Sequence, residues 1–139
     1  MADMTLLLSR LVDAVPGARS AVLLSVDGLP KYWVGMDDSD KDTLAALASS
    51  MCSLAYQVGT RFGDSGSSGF RQVVTELGDI MLFVAAASAG SALAVLASRE
   101  VDPRVMGYEI EMLVKQVPAH LATPNRMPGP NAGAGSQWA

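Results

Sequence analysis

From Ile80 to Ser98 the chain runs 19 residues without a charge, between Asp79 and Arg99. As one helix that run could span a bilayer. Its middle, however, reads Ser88-Ala89-Gly90-Ser91, which is turn chemistry. The halves, Ile80-Met81-Leu82-Phe83-Val84 and Leu93-Ala94-Val95-Leu96, are separately strand-like. The run therefore predicts a β-hairpin and not a transmembrane segment. Neither half alternates apolar with polar, so both faces of the hairpin have to be covered. With 139 residues, half of them hydrophobic and 17% charged, the chain has the size and composition of one domain with one sizeable core.

The flanking sequence supplies the cover. Met4, Leu8, Leu11, Val12 and Val15 recur at helical spacing, predicting a first helix over about Thr5 to Val15 that Pro16-Gly17 stops. Ala21 to Val26 and Leu29 to Gly35 read as strands about a two-residue Asp27-Gly28 turn; Pro30 marks the second as an edge. A long helix follows from about Asp40 to Arg61, capped by Ser39 or Asp38, with Leu44, Leu47, Met51, Leu54 and Val58 expected against the sheet. Phe70 to Leu77 alternates as a strand with one wet side and turns at Gly78-Asp79 into the uncharged hairpin. The last helix is announced by Asp102 as cap and Pro103 at its first position, with Val101 and Met106 placed to staple it. Met106, Ile110, Leu113 and Val117 form its core face, and Pro118 ends it. Residues 122–139, rich in Pro, Gly and Ala, read as a disordered tail on a domain spanning 1–121. The order α-β-β-α-β-β-β-α gives an α+β fold: a three-layer α/β sandwich with a five-stranded antiparallel sheet of order 2-1-5-4-3. The long helix covers one face and the other two helices cover the opposite one.

The same residues exclude most chemistry. Ten Lys and Arg against fourteen Asp and Glu, with no basic cluster, argue against nucleic acid. One cysteine and one histidine exclude a disulfide framework and leave little for a metal. Cys52 has no His or Lys placed to activate it, and His120 suits a helix C-terminus better than a proton relay. Asp37, Asp38, Asp40 and Asp42 lack the spacing of a calcium loop and fit capping and dipole compensation. The Gly63–Gly69 loop has no following Lys and leads into a strand, so it is no phosphate cradle. The expectation is a non-enzymatic protein with no cofactor. No signal peptide is visible, so a cytoplasmic location follows, with membrane recruitment only through partners.

The long helix carries the functional signal. Thr43 through Thr60 is a second uncharged run, whereas a helix with one buried face should show charges on its outer side. On a helical wheel Ala45, Ser49, Cys52 and Tyr56 fall on one flank, and Ala46, Ser50, Ser53 and Gln57 point away. These small neutral surfaces suit a protein–protein contact.

The element order, the segment VPGARSAVLLSVDGLPKYW at Val15 to Trp33, the long neutral helix and the run MLFVAAASAGSALAVLAS at Met81 to Ser98 together resemble the roadblock (dynein light chain-type) domain. The bulky Lys31-Tyr32-Trp33 departs from the small residues expected there. The resemblance is nearest to bacterial members that accompany a Ras-like small GTPase, often with a sensor-kinase-like protein nearby. It implies a homodimer whose long helices pair antiparallel and whose third strands join edge to edge into a ten-stranded sheet. That assigns the self-contact to Ala45, Ser49, Cys52 and Tyr56 with Phe70, Gln72 and Val74 of the third strand. The GTPase would dock on Ala46, Ser50, Ser53 and Gln57, the module binding and regulating it in bacterial signalling. The alternative is a PAS-like small-ligand sensor, which needs a pocket between the long helix and the sheet.

Overall fold

The computed structural model describes residues 3–64, 70–88 and 90–118. The expected tail at 122–139 and His120 lie outside these described residues.

Helix α1, Met4–Ala14, opens at Asp3, whose carboxylate accepts the Thr5 N–H at 3.1 Å. Strands β1, Ala18–Ser25, and β2, Pro30–Val34, form the first hairpin. Its loop is one residue longer than the expected Asp27-Gly28 turn. The Ser25 carbonyl accepts from the Gly28 N–H, and the Ser25 N–H donates to the Leu29 carbonyl. Gly28 sits at φ +84°, so the connection is a turn closed by a left-handed glycine. Helix α2, Asp38–Phe62, is capped by Asp37, not by Ser39 or Asp38; the Asp37 carboxylate accepts the Asp40 N–H at 2.8 Å. Asp38 and Asp40 in its first turn and Arg61 in its last complement the helix dipole.

Strand β3, Gln72–Glu76, is shorter than the alternation suggested. The Leu77 N–H then donates to the Ile80 carbonyl at 2.9 Å across Gly78-Asp79. The uncharged run becomes β4, Ile80–Ala86, and β5, Ser91–Ser98, paired antiparallel from Ile80↔Ser98 to Ala86↔Ala92. Helix α3, Pro103–Val114, starts as its sequence signals: Asp102 accepts the Arg104 N–H at 2.9 Å and Pro103 opens the helix. It ends a turn earlier than Pro118, and Val117 is nevertheless buried.

The sheet order is β2-β1-β5-β4-β3 with every described pair antiparallel. Alternate residues divide it into two cores. Leu23, Phe83, Leu93 and Val95 pack against α1 and α3. Val22, Leu24, Leu82, Val84, Ala92 and Ala94 pack against α2. Both faces of the uncharged hairpin are thus covered, and each fully buried Leu, Val or Phe contributes about 1.5–3 kcal/mol. The bulky residues of β2 are shared between the cores. Tyr32 lies on the α1–α3 side and Trp33 on the α2 side, with Lys41 Nζ 4.5 Å from the indole centroid.

Candidate protein-interaction surface

The phase of α2 about its own axis decides what it offers to a partner, and here the structure corrects the sequence. Ala45, Ala48 and Cys52 are 0% exposed and meet the sheet, whereas Leu47, Leu54, Val58 and Phe62 are 57%, 62%, 59% and 71% exposed. Of the stripe expected inside, only Leu44 is buried and Met51 half-buried. The helix is turned by roughly one residue step, about 100°. The reason is steric. The sheet presents Val22, Leu24, Leu82 and Val84 to α2, and small side chains on the helix let it seat closely against that relief. A row of leucines there would hold it off.

Ala45 and Cys52 therefore have no surface to give a twin, which corrects their placement in the self-contact. Burial pushes the Cys52 thiol up to about 12, further from a reactive thiolate. Ser49 is partly buried and donates to the Val26 carbonyl at 3.0 Å, fastening α2 to the β1–β2 loop. Tyr56 and Phe70 pack at the margin of the α2-side core. Gln72 and Val74 are exposed on β3. Ala46, Ser50 and Gln57 are exposed and Ser53 partly so. The Ser50 hydroxyl donates to the Ala46 carbonyl at 3.3 Å and the Gln57 amide to Ser53 Oγ at 3.4 Å, both within the helix.

The residues missed by the sequence reading are the exposed ones: Leu47, Leu54, Val58 and Phe62. Their signal is the two-sided lack of charge, which a helical wheel that ranks faces by apolar size turns inward. Their direction follows from neighbours. Ala46 and Ser49 lie beside Gly28 in the β1–β2 loop, while Leu47 shares a hollow with Asp79 and Ile80 at the start of β4. The leucine side consequently faces the end of the strands opposite the β1–β2 loop, where Arg19 and Ser20 of β1 and Leu96 of β5 line the same hollow. Strand β3 is paired only with β4 among the described residues, so one backbone edge is open. The fold thus offers an apolar helix flank and an open strand edge. The first can bury apolar area and the second can extend a sheet.

Among the described residues no group of three or more His, Cys, Asp or Glu side chains comes together, and no helix is long and apolar enough to cross a membrane.

Comparison with known proteins agrees with this architecture. The Roadblock/LC7 domain profile matches residues 4–97. A Roadblock/LC7 domain from Streptomyces avermitilis is 52% identical, with a TM-score of 0.80 over 86% of this chain and 98% of that one. MglB of Myxococcus xanthus is 15% identical, with a TM-score of 0.70 over 81% of this chain and 89% of that one. The gliding protein MglB of Thermus thermophilus is 16% identical, with a TM-score of 0.73 over 86% of this chain and 87% of that one. At such identity the two MglB proteins share the fold. No curated protein matches the chain. Roadblock/LC7 domains are generally non-catalytic interaction modules. The matched residues, taking in α1 through nearly all of β5, and the 52% identical domain establish that this chain belongs to the Roadblock/LC7 family.

Proposed function

We propose that the protein is a non-enzymatic, homodimeric interaction module that binds and regulates a Ras-like small GTPase. The observation that carries the reading is the exposed apolar flank of α2, Leu47, Leu54 and Val58, in a fold that also leaves one edge of β3 open. A second copy related by a two-fold axis covers both at once: α2 lies beside α2, and β3, with Gln72 and Val74, extends the sheet. The outward residues Ala46, Ser50, Ser53 and Gln57 stay free of that contact and double into one neutral platform for the GTPase. The resemblance to bacterial roadblock proteins supports the choice of partner, adds a sensor-kinase-like protein to the same assembly, and fits a cytoplasmic module that reaches membranes through its partners. One MglB structure has a tetrameric arrangement, a precedent for self-association on this fold.

The ligand-sensor alternative requires room between α2 and the sheet. That contact is filled by Ala45, Ala48 and Cys52, and it has no such support.

The test is titration of the GTPase from the same cell, loaded with GDP or a GTP analogue. The unmodified protein should prefer one nucleotide state, because a regulator acts only through a difference in affinity. Ser50→Glu and Gln57→Glu should weaken binding at least tenfold while the dimer persists. Equal affinity for both states removes regulation from the reading; undiminished binding by both variants removes the platform from α2.

A further inference from the structure

The hollow beside Leu47 measures about 490 Å³, within the range of small-molecule sites. Its lining joins three chemistries. Leu44 and Leu47 of α2, Met36 just ahead of it, Ile80 of β4 and Leu96 of β5 form an apolar wall. Arg19 of β1 brings a cation, while Asp40 of α2 and Asp79 of the β3–β4 turn bring two carboxylates. Ser20 and Thr43 add hydroxyls. Gly35 completes the lining, its bare Cα letting the end of β2 close on the backbone of Arg19 and Ser20. Ala45, Ala48 and Cys52, which fill the contact of α2 with the sheet, do not line the hollow; it lies beside that contact and not within it.

The polar groups of the lining do not satisfy one another. Among the described residues Arg19, Asp40 and Asp79 make no ion pair. The cations next to the two carboxylates are engaged elsewhere. Arg99 donates to the Gly78 carbonyl at 3.2 Å and to Glu76 at 3.3 Å. Lys41 holds Asp42 at 3.0 Å and lies over the Trp33 ring. Ser20 is only 4% exposed, and its hydroxyl has no hydrogen-bond partner among the described residues. A buried hydroxyl left that way is costly, and a ligand that bonds it removes the cost.

The charges select the ligand. An anion would meet Arg19 together with two carboxylates. A cation would meet the carboxylates together with Arg19. A zwitterion gives each sign its opposite, and an apolar substituent on it covers the leucine wall. An α-amino acid carries these three parts on one carbon. We propose that the hollow binds an α-amino acid with an apolar side chain. Its carboxylate lies toward Arg19, its ammonium toward Asp40 and Asp79, and its side chain against Leu44, Leu47 and Leu96. Such a ligand bridges α2 to β1 and β4, so it binds only the seated helix and stabilises the chain by mass action. The proposal needs neither a second copy nor the GTPase.

Thermal denaturation and calorimetry of the full chain test it, with L-leucine and L-phenylalanine as probes at up to about 10 mM. Either amino acid should raise the melting temperature by several degrees. Three relatives of leucine each lack one part: leucinamide the carboxylate, 4-methylpentanoate the ammonium, and glycine the side chain. Each should bind at least tenfold more weakly than leucine. Arg19→Gln should abolish the preference for leucine over leucinamide and keep the preference over 4-methylpentanoate. The double variant Asp40→Asn with Asp79→Asn should do the reverse, and native circular dichroism confirms that both variants fold. This reciprocal pattern is one that a purely structural role of these residues would not produce. No binding of either amino acid overturns the proposal. Equal binding of leucine and its three relatives reduces the hollow to an apolar dent and overturns it as well. Preferences unchanged in both variants place the binding away from this hollow and overturn the assignment.

Discussion

Leu54 separates the stability of the chain from the stability of its pair. In the single chain its side chain is 62% exposed. Leu54→Ala deletes three carbons, worth about 2 kcal/mol when the full side chain is buried, at about 0.8 kcal/mol per carbon. Roughly two thirds of that is unrealised in one chain and becomes available only when a second copy covers the residue. Dimerisation should thus lose about 1.3 kcal/mol per copy, about 2.5 kcal/mol for the pair, which weakens the dimer roughly 50- to 100-fold. The monomer should lose no more than about 0.7 kcal/mol, and alanine's better helix propensity offsets part of it. Sedimentation equilibrium over a concentration series gives the first quantity. Urea denaturation well below the dissociation constant gives the second. A dimer constant that moves less than threefold would refute the placement of Leu54 in the self-contact. A monomer destabilised by several kcal/mol would refute the orientation of α2.

Three further outcomes follow from the geometry. Cys52, with its thiol raised from 9.0 to about 12 by burial, should resist thiolate-selective reagents at pH 8 in the native protein and react on denaturation. Its contribution to stability is full below pH 9, the unfolded value, and is lost as the pH climbs toward 12, so flat stability from pH 9 to 11 in the wild type relative to Cys52→Ala would contradict it. Gly35→Ala should destabilise by more than about 2 kcal/mol in thermal denaturation, because it adds left-handed strain of about 1–2 kcal/mol to a clash: Gly35 has φ +80°, and a Cβ there would lie 2.5 Å from the Arg19 carbonyl oxygen. Deleting residues 122–139, rich in Pro, Gly and Ala, should leave the melting temperature unchanged within a degree; a fall of several degrees would refute the expectation that the domain folds without them.

Sheet order and layering were legible because each rested on local chemistry. Ser88 to Ser91 broke the uncharged run, Pro30 and the alternating β3 marked the edges, and Asp102-Pro103 opened α3. The α2 cap moved to Asp37, and the Asp27-Gly28 turn gained a residue, because several neighbouring residues suit either position. The interaction surface was legible as an element and not as a face. Residues 43–60 announce that α2 has no face made for water alone, but a helix wheel ranks faces by apolar size. It does not know that the sheet already holds Val22, Leu24, Leu82 and Val84. Once those are in place, Ala45, Ala48 and Cys52 are the side chains that fit. The leucines the wheel assigns inward are the ones left for a second chain.

The thin attachment of α2 has a consequence in time as well as in space. Only Leu44, Ala45, Ala48 and Cys52 of its 25 residues are buried, so the lone chain holds this helix with little apolar area. Its amides are the ones expected to open first, through local detachment rather than global unfolding. A second copy closes that route by mass action, since it binds only the seated helix. Hydrogen exchange in α2 should then slow as protein concentration rises while exchange in β4 and β5 does not. The protomer's own abundance thereby sets how long the helix stays in place.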